Sequence, residues 1–385
     1  DVSKELFPPE TSGKGPLILI AESTLTPDET GEYSLGMKAN GFFTVSVDDK
    51  PVAMGYQPSG VDTKLGRVRL EKGKPVQLIV KYSQFQNAEA VASLVWSKND
   101  LETQAAAVQT AKEADVVVAV VGISNELEGE EMPIQEEGFS GGDRTSLNLP
   151  KPEQELLEAL RATGKPLVVV LTNGSALAVS WAKAHANAIL EAWYPGEEGG
   201  SAVAETLSGK NNPAGRLPVT FYQDVSQLPP FEDYAMKGRT YRYFEGTPLF
   251  PFGYGLSYTT FSYSGLKISP SSLAAGRPLV AEITVANTGI RAGDEVAQLY
   301  LEFPDVPGRP LRALRSFKRI HLVANGSRRI RFELRPRDLS MVTESGDPII
   351  AQGQYSVSVG GGQPNSGVPV ITTTFKIKNW MKLSE

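Results

Sequence analysis

Two short runs, "VVVAVVG" (116–122) and "PLVVVLTNG" (166–174), constrain the fold of this chain more than any other feature. Each is a continuous apolar stretch of the kind found in strands buried on both faces of a parallel sheet. The text around them alternates accordingly. "DLETQAAAVQTAKEAD" precedes the first run with an Ala/Val stripe at helical spacing. "EQELLEALRATG" lies between the two, opened by Pro152, carrying Leu156, Leu157 and Leu160 on one face, and closed by Gly164 as a C-cap. "SWAKAHA" then reads as a short helix, "AILEAWYPG" as a third strand, "GSAVAETLSG" as a helix and "GRLPVTF" as an extended segment. This pattern predicts a doubly wound α/β sandwich with a mostly parallel sheet, whose ligands bind beyond the carboxyl ends of the strands.

The flanks are different. Residues 17–97 read as antiparallel β, with Asn40-Gly41 as a turn, Val45 and Val47 sharing a face, and Ala92, Leu94 and Trp96 sharing another. From Phe261 onward, short strands such as "PLVAEITVANTG", "EVAQLYLEF" and "GQYSVSVGG" recur at β-sandwich spacing. The intervening "GRTYRYFEGTPLFPFGYGLSYTTFSYS" reads as an irregular linker whose rings weld two domains. A chain of 385 residues needs two or three cores. The expected division is 1–97, 98–242, a linker over 243–262, and 263–385, in a multi-domain α+β chain.

Composition removes several kinds of chemistry. The net charge of −6, with Lys and Arg scattered, does not supply the basic face a nucleic acid needs. Without cysteine there is no disulfide, thiolate metal site or cysteine nucleophile. The two histidines, His185 and His321, lie far apart, which speaks against a His-ligated metal or a Ser-His-Asp triad. No metal or organic cofactor is implied, and no apolar run approaches the ~20 residues of a membrane span. Acid–base chemistry in this chain falls to carboxylates.

The carboxylates gather in one place. "ISNELEGEEMPIQEEGFSGGDRTSLNLP" (123–150) follows the first buried strand and packs Glu126, Glu128, Glu130, Glu131, Glu136 and Glu137 ahead of Asp143-Arg144. The plain alternative is a solvated acidic loop. Two features favour a shaped one: the interleaved Gly129, Gly138, Gly141 and Gly142, and the apolar Met132, Ile134 and Phe139. A carboxyl held against apolar surface keeps its proton to higher pH, as a general acid requires. Other candidates are weaker. Ser175 is outside a G-x-S-x-G elbow and reads as a turn into a helix. The "GGSAVAE" turn lacks phosphate-loop spacing, His185 reads as a helix-surface residue, and Asn173 and Asn325 open N-G-S tripeptides.

Three long strings, "WYPGEEGGSAVAETLSGKNNPAGRLPVTF", "YFEGTPLFPFGYGLSYTTFSYS" and "VANTGIRAGDEVAQLYLEFP", resemble the C-terminal half of family 3 glycoside hydrolases, the β-glucosidase and β-xylosidase group. The resemblance runs from about residue 99 to the end. Residues 17–97 are similar to the later strands of a PA14 module, through "TLTPDETGEYSLGMKANGFFTVSVDDKPV" and "VASLVWS". The resemblance implies an incomplete PA14-like β module over 1–97, an α/β sandwich over 98–242 and a fibronectin-III-like domain over 263–385. It also implies a retaining, exo-acting β-glycosidase, β-glucosidase ahead of β-xylosidase, acting on β-linked oligosaccharides. "LEGEEM" matches the family's acid/base loop, so Glu130 is expected as the general acid/base, with Glu131 and Glu128 as alternates and Glu137 in a rival register. Asp143 and Arg144 are expected to anchor the loop through an ordinary salt bridge. The family's aspartate nucleophile lies on an N-terminal (β/α)8 barrel. This chain does not contain that barrel and is expected to pack against it as a separate chain. A periplasmic or secreted location follows from the family alone. The competing expectation is a non-catalytic carbohydrate-binding or scaffolding piece.

Overall fold

A computed structural model describes residues 4–5, 17–84, 90–98, 104–124, 127–128, 137–141 and 143–383. The chain forms two compact units, Asp1–Asp115 and Val116–Glu385. Strands of four residues or more are numbered in chain order.

In the first unit, β1 (Leu17–Leu25), β2 (Gly31–Val47), β3 (Lys50–Leu70), β4 (Val76–Gln84) and β5 (Ala92–Lys98) form an antiparallel sheet, ordered β5-β2-β4-β1 with β3 paired to β2. Tyr33, Leu35, Met37, Val45, Val80 and Tyr82 lead its core. Asn40-Gly41 is not the predicted turn. β2 runs straight through it, with a register shift between Ala39 and Gly41. The reason is that Gly41 takes φ +86°, as a bulge requires, while the buried Asn40 accepts the Tyr82 hydroxyl at 2.8 Å and the Val91 N–H at 2.9 Å. The actual reversal is Asp48-Asp49, both at positive φ. Helix α1 (Gln104–Glu113) falls where the Ala-rich stripe predicts it.

The second unit begins with three parallel strands, β6 (Val117–Gly122), β7 (Leu167–Thr172) and β8 (Ala188–Glu191), in the order β8-β7-β6. Between them lie α2 (Lys151–Ala162) and α3 (Ser180–His185), and α4 (Gly199–Leu207) follows. Pro152 stands in the first turn of α2, and Gly164 beyond its end takes φ +77°. β7 is buried as its text predicts, but β6 is not covered on both faces. It lies at one edge of this sheet among the described residues, and on its uncovered face Val118 and Val120 are 46% and 62% exposed while Ala119 and Val121 face the core. "GRLPVTF" is not a strand either; only Phe221 bridges, to Phe250.

The rest of this unit is a β-sandwich. β9 (Phe261–Ser269), β10 (Leu279–Asn287) and β13 (Ser327–Leu334) make one sheet. β11 (Gly293–Glu302), β12 (Ala313–Leu322), β14 (Gly353–Gly360) and β15 (Val370–Ile377) make the other, with Ser272–Leu273 along its edge. β10 alternates buried and half-buried along its whole length, and its inward residues meet Leu299, Leu301, Phe332 and Val357 in one core. Rings of the aromatic segment tie this sandwich to the α/β part. Tyr241 stacks on Phe252 at 4.2 Å, meets Tyr300 edge-on and accepts the Leu314 N–H at 3.1 Å.

Candidate active site

The carboxyl ends of β6, β7 and β8 converge on one carboxylate. β6 can approach β7 closely because it ends in glycine: a Cβ on Gly122 would lie 1.9 Å from the Thr172 carbonyl oxygen, and its φ is +152°. The Gly122 N–H donates to Glu153 of α2 at 2.8 Å, which fixes the strand end against the helix. The chain then turns at Ser124, whose carbonyl accepts the Leu127 and Glu128 N–H groups at 2.9 and 3.1 Å. That turn brings Glu128 back over the strand ends.

Glu128 is held from two sides. After β7, the Gly174 N–H donates to Oε2 at 2.9 Å, and the Ser175 hydroxyl donates to Oε1. After β8, the Tyr194 hydroxyl donates to Oε2. Arg144 lies 3.9 Å from Oε1, and the two side chains are only 12% and 14% exposed. The guanidinium also donates to Ser175 Oγ at 3.0 Å, to the Ser146 carbonyl at 2.9 Å and to the Asn148 carbonyl at 3.3 Å, and it lies over the Phe139 ring. Burial lowers the Arg144 pKa, with the nearby Glu128 opposing. Tyr194 is pushed up by burial and by its bond to Glu128. A carboxylate with this many donors is a strong anchor.

A cavity of about 560 Å³ opens beside this cluster, lined by Gly174, Ser175, Ala176, Trp193, Pro218 and Val219. Trp193 holds φ +54°, an uncommon conformation for a bulky residue, and meets Phe221 edge-on at 6.0 Å. Its N–H donates to Glu191 Oε1 at 3.1 Å. The Glu191 carboxyl, at the end of β8, is pushed up to about 7 by burial, which the Trp193 N–H and Asn173 side chain only partly offset.

The expected site residues fall as follows. Glu128 and Arg144 are brought together and joined to both neighbouring strand ends. Asp143 is exposed on a short hairpin, Phe139–Ser140 with Asp143–Arg144, and has no ion pair among the described residues. Arg144 faces Glu128 across its ion pair instead. Glu137 is exposed next to that hairpin. Glu130 and Glu131 lie outside the described residues, as do Met132, Ile134 and Glu136. Ser175, Asn173, Glu191 and Tyr194 are additions to the sequence-based set. Ser175 does not lead directly into a helix, since α3 starts five residues later and the hydroxyl is spent on Glu128. Asn173 is fully buried and its side chain donates to the Ser175 carbonyl at 2.9 Å, so it is no glycosylation acceptor. The signal for all four is their position just at or past the carboxyl end of a parallel strand. His185 is a surface residue stacked on Trp181. Among the described residues no His/Asp/Glu group could hold a metal, and no helix is long and apolar enough to cross a membrane.

Known proteins carry the same text and fold. Residues 17–258 match the Glycosyl hydrolase family 3 C-terminal domain, and residues 295–363 the Fibronectin type III-like domain. A xylan 1,4-beta-xylosidase of Xylanibacter ruminicola is 38% identical over 92% of this chain and 41% of its own length. A periplasmic beta-glucosidase of Salmonella typhimurium is 38% identical over 66% of the chain and 34% of its own. The crystal structure of a beta-glucosidase from Kluyveromyces marxianus superposes with a TM-score of 0.70 at 26% identity, covering 95% of this chain and 45% of that one. The chain thus spans less than half the length of these relatives. With residues 17–258, more than half of the chain, matched by the family's C-terminal domain and a fibronectin type III-like domain behind it, the chain belongs to glycoside hydrolase family 3.

Proposed function

We propose that this glycoside hydrolase is a retaining, exo-acting β-glycosidase and that the present chain contributes its general acid/base, Glu130. The observation that carries the reading is the clamp on Glu128. It folds the start of the glutamate-rich segment back over the carboxyl ends of three parallel strands, where ligands of such sheets bind. With its oxygens engaged by Gly174, Ser175 and Tyr194, Glu128 serves as the anchor, and Glu130, two residues on, is the carboxyl that delivers the proton; Glu131 is the alternate. In the first step Glu130 protonates the departing glycosidic oxygen while an aspartate attacks the anomeric carbon. In the second it takes a proton from the water that cleaves the glycosyl-enzyme. Retention needs the two carboxyls about 5–5.5 Å apart. The aspartate is assigned to an N-terminal (β/α)8 barrel of the whole enzyme. The greater length of the relatives and the uncovered valines of β6 support a further portion of that kind.

The substrate we assign is a terminal β-D-glucosyl residue of an oligosaccharide. A β-xyloside is the second reading, favoured by the xylosidase matched over 92% of this chain. Residues 1–97 are assigned as a PA14-like module, and the location as periplasmic or secreted, in keeping with the Salmonella relative. The test uses this chain together with its barrel portion. Glu130→Ala abolishes turnover of glycosides with poor leaving groups, while azide partly restores it on activated aryl glycosides. Paired aryl glucoside and xyloside substrates decide the sugar. Unchanged hydrolysis in the variant refutes Glu130, and no hydrolysis by the wild type leaves the carbohydrate-binding alternative.

A further inference from the structure

The Glu128 clamp has two supports, and each begins at a side chain with a buried oxygen that has no partner among the described residues. On the β7 side, Asn173 is fully buried; its amide donates to the Ser175 carbonyl, and its Oδ1 has no partner. On the β8 side, Glu191 accepts the Trp193 N–H through Oε1, and its Oε2 is buried without a partner. The two segments that follow, Gly174–Ser175 and Trp193–Tyr194, supply the hydrogen bonds on the Glu128 carboxylate among the described residues. Two buried acceptors lacking a donor in one place are costly, and nothing in the clamp itself uses them. A protonated Glu191 carboxyl carries a donor of its own.

We propose that Glu191 is a positioning residue for Glu128: it fixes the left-handed turn at Trp193, and through Tyr194 it holds the carboxylate over the strand ends. Trp193 at φ +54° stays in that turn only because its surroundings impose it, and the Glu191 bond to its backbone N–H is a polar tether that holds it there. Among the described residues the groups that act on Glu191 are neutral, the Trp193 N–H and the Asn173 side chain; the charged pair Glu128 and Arg144 is linked to it through Tyr194 and Ser175. The tether is therefore set by burial and by the proton. Because burial raises its pKa from 4.5 to about 7, Glu191 is neutral in the folded cluster up to that pH, and its support is lost as pH rises from the unfolded toward the folded value. The link from Glu191 to Glu128 stands by itself, whereas the link from Glu128 to catalysis rests on the function proposed above.

Amide hydrogen exchange on the 385-residue chain tests it, with peptides spanning Leu127–Glu128 and Trp193–Tyr194 read from pH 5.5 to 8.5 after correction for intrinsic rates. In the wild type, protection of both peptides falls roughly tenfold between about pH 5.5 and 7 and levels off above, as linkage requires for openings that expose Glu191. Glu191→Gln keeps an oxygen for Trp193 and places an N–H where the proton was, so its profile is flat. Glu191→Ala loses protection at every pH in these peptides and keeps it in the sandwich. A flat wild-type profile, or a Gln variant that follows the wild type, overturns the proposal even if the Ala variant fails to fold. The enzyme with its barrel portion separates the two readings. If Glu130→Ala kills hydrolysis while Glu191 variants and pH leave protection unchanged, Glu191 is no positioning residue and the function stands. If protection responds as stated but no glycoside is hydrolysed, the function fails and the positioning stands.

Discussion

The β-sandwich and the strand-end cluster lie in the same compact unit and are built on opposite principles. In the sandwich, Ile283, Leu299, Leu301, Phe332 and Val357 are buried to within 1% of completeness, and the inward side chains are almost all apolar. At the strand ends, the polar groups are the buried Asn173 and the half-buried Glu128, Arg144 and Glu191, two of the four with a buried oxygen that has no partner among the described residues, beside a tryptophan in a left-handed turn. Polar groups short of partners cost stability, and strained backbone persists only where the rest of the structure imposes it. The sandwich supplies cohesion. The cluster consumes some of it to hold a carboxylate and a cavity in fixed positions.

Substitutions in the two regions should therefore separate stability from chemistry. The largest effect belongs to Glu130→Ala: on the function proposed above, loss of the general acid should lower kcat by about 10²–10⁴ on poor leaving groups, with the melting temperature unchanged. Steady-state kinetics on the enzyme with its barrel portion read the first quantity and calorimetry the second. The mirror image is Arg216→Met. Arg216 pairs with Glu295 of β11 at 3.0 Å and donates to the Gly215 and Gly361 carbonyls, with both charged side chains under 10% exposed. Removing one member leaves Glu295 buried and uncompensated, at a cost of about 3–5 kcal/mol, whereas replacing both by apolar residues comes close to neutral. Urea denaturation of the two variants measures the difference. Leu299→Ala, deep in the sandwich, costs about 2–5 kcal/mol and leaves turnover of the folded fraction intact. If Leu299→Ala instead altered kcat, the separation of the two regions would be lost.

The same contrast explains what can be read from the residues alone. The sandwich and the parallel strands follow from local text: β10 alternates as written, β7 is a buried apolar run, and Pro152 and Gly164 bracket α2. Local text misleads where a distant partner decides. Asn40-Gly41 looks like a turn until Tyr82 and Val91 claim the asparagine, and β6 looks doubly buried although nothing among the described residues covers its face bearing Val118 and Val120. The site is legible as a glutamate-rich segment after a strand, with Glu128 and Arg144 within it. Its supports are not, because Ser175 and Tyr194 lie 47 and 66 residues from the carboxylate they hold. Nothing short-range marks such residues except their place at the strand ends.

The smallest expected effect is also the one that most directly tests whether the cluster is a clamp. Ser175 donates to Glu128 and accepts from Arg144 at 3.0 Å, so one hydroxyl links the carboxylate, the guanidinium and the end of β7. Ser175→Ala removes that link but leaves the Gly174 N–H and the Tyr194 hydroxyl on Oε2. A hydrogen bond to a charged group is worth about 1.5–3 kcal/mol, and with the other two donors in place the stability loss should fall at the low end of that range. Tyr194→Phe removes the support on the other side. If the two segments hold one carboxylate together, the double variant costs more than the sum of the singles, by at least about 0.5 kcal/mol as contacting residues usually show. Strict additivity in denaturation would mean that the β7 and β8 ends act separately, and that Glu128 rests on each of them rather than between them.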